Sequence, residues 1–227
     1  MPWNGSEFLD VKILEKFYSK RNKVYKVQVE SIPEKEIAIM GDDEAFSKVK
    51  SDAFIMKTYD NPNILEKEYK NIKRLDELSM PVPKVLMKTE NSLFLTYIKG
   101  ELIGDLAEKE DTGNWIDELA LWMARLHNIK SEKDSLLKMD VNLRNFIYSE
   151  GIIYGLDFEE TSYGDPRFDL ANICFFILTN RPSFTRKKHL IMRRFLKSYE
   201  EHSKTCLKDM ASYLRWSKEE SKRRRNV

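Results

Sequence analysis

The spacing of apolar positions changes along this chain, and each change marks an element. Between residues 7 and 30, Val11, Ile13, Phe17, Val24, Tyr25, Val27 and Val29 supply β-branched and aromatic side chains in partial alternation. That pattern predicts two strands, joined through Ser19-Lys20-Arg21-Asn22-Lys23. Residues 31–52 are less regular. Ile37–Met40 fits a strand and Asp42–Val49 a short helix, together an insertion. Ala53-Phe54-Ile55-Met56-Lys57 is a further apolar strand that ends in a cation. Beyond Asn61-Pro62-Asn63, which can cap a helix, Leu65, Tyr69, Ile72, Leu75 and Leu78 recur at helical spacing. Val85–Met87 and Ser92–Ile98 then read as a strand pair turning at Glu90-Asn91.

Downstream the period of 3.6 dominates. Trp115, Ile116, Leu119, Trp122, Met123 and Leu126 share one helical face, with Asp111-Thr112 as its expected cap and both tryptophans as core. One strand pair interrupts the helices. Phe146-Ile147-Tyr148 and Ile152–Leu156 flank Ser149-Glu150-Gly151, where Gly accepts the positive φ of a hairpin turn. Ile173–Leu178 reads as a buried helix. Pro182-Ser183 is the expected start of another, carrying Ile191, Phe195, Leu196 and Tyr199. A last helix holds Leu207, Met210, Leu214 and Trp216, and Lys222–Arg225 reads as a solvated end.

Composition narrows the function classes. The chain has 227 residues, 41% of them hydrophobic, enough for a substantial core. Its 39 basic and 37 acidic side chains leave a net charge of +2, so no global field argues for nucleic acid. No stretch approaches the roughly 20 apolar residues of a membrane span, and the first residues resemble no secretory leader. Cys174 and Cys206 match no metal spacing, and a reducing, cytoplasmic setting is expected.

The chemistry concentrates between Lys138 and Ala171. Asp140 and Asn145 precede the predicted hairpin and Asp157 follows it, so three oxygen-bearing side chains sit at its open ends. Hard cations such as Mg2+ take oxygen ligands, one or two from protein and the rest from phosphate and water. Asp and Asn are also ordinary turn residues, so this spacing alone more often marks a plain solvated hairpin. The following Gly164-Asp165-Pro166 and Asp169-Leu170-Ala171 carry the reading further.

The series Asp140-x-x-x-x-Asn145, Leu156-Asp157-Phe158-Glu159 and Gly164-Asp165-Pro166-x-x-Asp169-Leu170-Ala171 resembles the aminoglycoside phosphotransferase and choline kinase family. The resemblance implies an α+β, two-lobed protein-kinase-like fold, with a β-rich N-lobe over residues 1–98 and a mostly helical C-lobe over 99–227. It implies transfer of the γ-phosphoryl group of ATP, with Mg2+, to a hydroxyl of a small molecule. Lys57 would hold the α- and β-phosphates, and Glu68 would hold Lys57, with Glu66 as runner-up. Adenine would lie along Leu95, Tyr97 and Ile98, before the hinge-like Lys99-Gly100. Asp140 would be the base, Asn145 and Asp157 the Mg2+ ligands, and Arg144 a cation for the transferring group. Asp169 would brace the catalytic loop, and His127, at the end of Ala124-Arg125-Leu126-His127, would be structural. Glu159, Glu160 and Asp165 could attract a cationic acceptor. Two departures stand out: the loop 19–23 has no glycine, and Lys138 occupies the place of the family's histidine. They favour a second reading, a non-catalytic nucleotide-binding scaffold. A protein kinase is a third, disfavoured by the short link from Asp157 to Asp169.

Overall fold

The computed structural model describes residues 10–19, 22–31 and 53–225. The expected strand at Ile37–Met40, the helix at Asp42–Val49, and Lys20 and Arg21 of the first turn lie outside the described residues. The chain divides into two compact units, Met1–Tyr69 with Lys84–Tyr97, and Lys70–Pro83 with Ile98–Val227.

The first unit is built on an antiparallel sheet in the order β1-β2-β3-β5-β4. Its strands are β1 (Asp10–Phe17), β2 (Lys23–Ser31), β3 (Ala53–Thr58), β4 (Val85–Lys88) and β5 (Ser92–Thr96). Alternation selects its inner face. Val27, Phe54, Met56 and Phe94 form a buried cluster against which Val11, Tyr25, Leu86 and Met87 pack. Ile13 pairs with Val27 but lies on the edge strand β1 and stays exposed.

Helix α1 (Pro62–Glu77) begins in this unit. Asn61 caps it, its side-chain oxygen accepting from the Asn63 N–H at 2.9 Å, and Pro62 occupies the first turn, where no N–H is needed. Leu65, Ile72 and Leu75 are buried as their spacing predicts. Leu78 is not: it lies past the helix end and is 49% exposed. Ser79 turns left-handed at φ 57, and the Met80 N–H closes back on the Leu75 carbonyl at 2.9 Å, so Met80 supplies the buried side chain instead.

The second unit is mostly helical. Its helices are α2 (Ile103–Glu108), α3 (Trp115–His127), α4 (Arg167–Thr179), α5 (Arg186–Ser203) and α6 (Met210–Arg225). Two short sheets insert among them. One runs β10 (Ile152–Gly155), β9 (Phe146–Ser149), β6 (Glu101–Leu102); the other runs β11 (Ser162–Gly164), β8 (Asp134–Leu137), β7 (Lys130–Ser131). Trp115 and Trp122 on α3 are core, 1% and 2% exposed. The Trp122 ring meets Phe146 edge-on at 5.4 Å, and its N–H donates to the Pro81 carbonyl at 3.0 Å.

Three helix ends differ from the sequence expectation. Asp111 spends its carboxylate on the Gly113 N–H at 2.5 Å, a turn ahead of α3, so the helix starts at Trp115 and not at Thr112. Pro182 and Ser183 finish the turn after α4, where the Ser183 hydroxyl donates to the Thr179 carbonyl. Thr185 then caps α5 through the Lys188 N–H. Lys222–Arg225 continue α6, where Lys222 pairs with Glu219 one turn back.

The β9–β10 hairpin is as predicted. Ile152 pairs with Ser149, which leaves Glu150 and Gly151 as a two-residue turn with φ of 49 and 83. Both positive values belong to the turn type whose twist matches a hairpin. At the other end Phe146 pairs with Gly155, so Asn145 and Leu156 leave side by side, the Leu156 N–H donating to the Asn145 carbonyl at 2.8 Å.

Candidate active site

In the first unit, β3 delivers Lys57 and α1 delivers Glu68. The two meet at 2.7 Å and are 6% and 1% exposed. Tyr59, two residues beyond Lys57, donates its hydroxyl to the same Glu68 oxygen at 2.7 Å, and its ring lies 5.3 Å from the ammonium. A buried ion pair pays for desolvation only if the remaining lone pairs are satisfied, and Tyr59 supplies one such bond. Glu66 is elsewhere, paired with the exposed Lys88 at 2.6 Å. Leu95 is buried in β5, and the half-buried Tyr97 takes the Lys26 ammonium over its ring at 4.0 Å.

In the second unit, β8 leads into the loop that carries Asp140 and Asn145. A 3-10 turn, Leu143–Asn145, follows Asn142, whose side chain accepts from the Arg144 N–H. The Asn142 N–H donates to the Asp140 carboxylate at 3.3 Å, and the Asn145 side-chain nitrogen donates to the Asp140 carbonyl, also at 3.3 Å. That second bond leaves the Asn145 amide oxygen as its acceptor for any other partner. Asp157 follows β10, so Asp140, Asn145 and Asp157 belong to one locally connected structure at the open end of the hairpin. Ile98, half-buried, precedes Gly100, where backbone packs so closely that an added Cβ would lie 2.4 Å from the Tyr148 carbonyl oxygen.

Two residues of this region hold left-handed backbone without being glycine: Met139 at φ 68 and Asp157 at φ 60. Each costs on the order of 1 kcal/mol or more and persists where surrounding structure over-determines it. Asp169 is part of that surrounding. From the first turn of α4 its buried carboxylate accepts from the Lys138 N–H at 2.7 Å and the Met139 N–H at 3.1 Å. His127 lies 3.3 Å from the same carboxylate and, through its other nitrogen, 3.0 Å from the Tyr199 hydroxyl. The brace expected of Asp169 is therefore present, and His127 has a partner that its own sequence neighbourhood does not show.

Lys138 is the residue that the sequence left without a role. Its side chain is fully buried, and its ammonium donates to the carbonyls of Asp140 at 2.9 Å and Asp157 at 2.7 Å. The rings of Phe158 and Phe146 lie 4.9 and 5.6 Å from it.

Arg144 points to acids of α2, 3.3 Å from Asp105 and 3.4 Å from Glu108. A cleft of about 240 Å3 opens here, lined by Glu108, Asn142, Arg144, Phe176 and Asn180 among others. Asp165 does not stand ready for a cationic acceptor. Burial alone would raise its pKa, but bonds from the Arg167 side chain and N–H and from Tyr213 prevail and lower it to about 2. Burial raises the Cys174 thiol far above its usual range, which makes it inert core.

Comparison with known proteins places this geometry. The family model of the RIO domain matches residues 10–162. No curated protein matches the sequence. Among solved structures, the ADP-bound aminoglycoside phosphotransferase APH(2'')-Ib is similar with a TM-score of 0.59 at 14% identity, over 93% of this chain and 82% of that one. The aminoglycoside phosphotransferase APH(3'')-Id of Streptomyces rimosus gives 0.61 at 12% identity, over 89% of both chains. Choline kinase of Cryptosporidium parvum gives 0.56 at 11%, over 88% of this chain and 75% of that one. At such identities the likeness shows a kinase-like fold. The resemblance to aminoglycoside phosphotransferases and choline kinases thus holds at the level of fold, while the family model that matches the sequence is that of the RIO domain.

Proposed function

The chain belongs to the RIO domain family, and we propose that it is an ATP- and Mg2+-dependent phosphotransferase that moves the γ-phosphoryl group to a hydroxyl of a small molecule. The observation that carries this reading is the Lys57–Glu68 pair, sealed from solvent at 2.7 Å. A scaffold gains little from a buried ion pair, since apolar residues of similar volume are as stable or more so. A phosphate-binding lysine needs its carboxylate, which holds the ammonium in place.

In this reading Lys57 takes the α- and β-phosphates, and adenine lies along Leu95, Tyr97 and Ile98. Asp140 orients the acceptor hydroxyl and takes its proton. The Asp157 carboxylate and the Asn145 amide oxygen are hard donors, the kind Mg2+ prefers, and these two residues would hold it. The ion would neutralise charge on the β- and γ-phosphates. Arg144 would support the transferring group by exchanging Asp105 and Glu108 for phosphate oxygens.

The cleft beside Asn142 and Arg144 supports a small acceptor. It is smaller than a pocket for a drug-sized ligand, and the Asn142 N–H that adjoins it also bonds to Asp140. ADP-bound and ATP-bound structures among the similar folds support the nucleotide. The free thiols of Cys174 and Cys206 support a reducing, cytoplasmic setting.

The test is ATP turnover over a panel of hydroxyl acceptors, aminoglycosides, choline, glycated amines and serine peptides, for the wild type and Asp140→Asn. Acceptor-dependent ADP release that Asp140→Asn reduces by 100-fold or more supports the reading. ATP binding without turnover on any acceptor favours the non-catalytic scaffold, to which the glycine-free segment 19–23 points. Turnover on the peptides alone would make it a protein kinase.

A further inference from the structure

We propose that Lys138 is a positioning residue whose ammonium ties the base and both metal-binding residues into one rigid unit. The proposal rests on the phosphotransferase reading above. Lys138 is fully buried, and its ammonium donates to main-chain oxygens, the Asp140 carbonyl at 2.9 Å and the Asp157 carbonyl at 2.7 Å. The Asp140 carbonyl also accepts from the Asn145 side chain at 3.3 Å. One cation thus connects the backbone of Asp140 and Asp157 directly, and Asn145 through a shared oxygen.

Position and strain support the same role. Left-handed Asp157 is one end of this link, and left-handed Met139 directly precedes Asp140, the other end. Asp169 holds the loop through the N–H groups of Lys138 and Met139. Lys138 holds it through the carbonyls of Asp140 and Asp157. The two sets of bonds use different backbone groups and do not substitute for each other. The rings of Phe146 and Phe158 flank the ammonium and keep water from competing for it.

A lysine suits this place for a chemical reason. Its side chain carries up to three N–H donors on a long flexible stem, enough to reach two carbonyls at once, whereas a neutral imidazole has one N–H to give.

Titration of a fluorescent ATP analogue with and without Mg2+ tests this, using the wild type, Lys138→Met and Lys188→Met. Lys188 is an equally buried lysine on α5 that bonds to the Asn180 and Arg181 carbonyls, away from Asp157. The expected result is that Lys138→Met binds the metal-free analogue within about twofold of wild type but loses at least tenfold of the Mg2+-dependent gain. Lys188→Met keeps that gain. If both variants keep it while the wild type shows it, Lys138 is merely structural and the proposal is overturned. If the wild type shows no Mg2+-dependent binding, the phosphotransferase reading itself has failed. Should Lys138→Met not fold, Lys138→Gln takes its place: its shorter, uncharged side chain cannot tie both carbonyls as the ammonium does, so it too is expected to lose the Mg2+-dependent gain, and keeping it overturns the proposal.

Discussion

The Lys57 ammonium and the Glu68 carboxylate meet at 2.7 Å inside the first unit, and Tyr59 gives the same carboxylate oxygen a second bond. Removing one member leaves the other charge buried. Lys57→Met and Glu68→Gln are each expected to cost about 3 kcal/mol in urea unfolding. The double variant is expected to recover part of that loss, because both buried charges are then gone. Additive losses would mean that the two side chains do not act as a pair.

Asp169 makes a different kind of contribution. Its two oxygens serve two N–H groups of the loop and His127. Asp169→Asn turns one acceptor into a donor that faces an N–H, at an expected cost of about 2 kcal/mol. His127→Gln leaves the N–H bonds in place and is expected to cost less. Unfolding of the two variants side by side checks the order, and a larger loss for His127→Gln would reverse it.

The Asp165–Arg167–Tyr213 cluster predicts an acid-side effect. The Asp165 pKa is lowered from 3.8 to about 2, through the Arg167 and Tyr213 bonds that outweigh burial. A lowered carboxylate stabilises the fold above its unfolded pKa, and that stability is lost as pH falls through the folded value. Stability is therefore expected to drop between about pH 4 and pH 2, and Asp165→Asn is expected to show a shallower drop there. Parallel curves for the two proteins would contradict this.

How much of this was readable beforehand depended on whether a feature is local. The β9–β10 hairpin follows from alternation and from Gly151, so its open ends, and with them Asn145 and Asp157, could be placed from sequence. The brace at Asp169 came with a motif. Lys138 did not. A lone lysine has no periodicity, and its partners are carbonyls, which every residue carries. His127 and Asp169 meet across 42 positions, a closure that no local pattern encodes. Tyr59 was missed because it follows Lys57 as an ordinary strand-end aromatic. Asp111 and Pro182 misled for a third reason. Each is a good helix-start residue, but Asp111 bonded within a turn, and Pro182 belongs to the turn after α4, where Thr185 supplied the cap.

The central claim is that Asp157 belongs to a Mg2+·ATP site, and thermal unfolding with ATP, with and without Mg2+, tests it most directly. A ligand held only by the folded state raises the midpoint by mass action, by about 2.7 kcal/mol of stability at a hundredfold excess over Kd. The account predicts a rise with Mg2+ and ATP together in the wild type that Asp157→Asn sharply reduces. No rise at millimolar ATP, or an equal rise in Asp157→Asn, would contradict it.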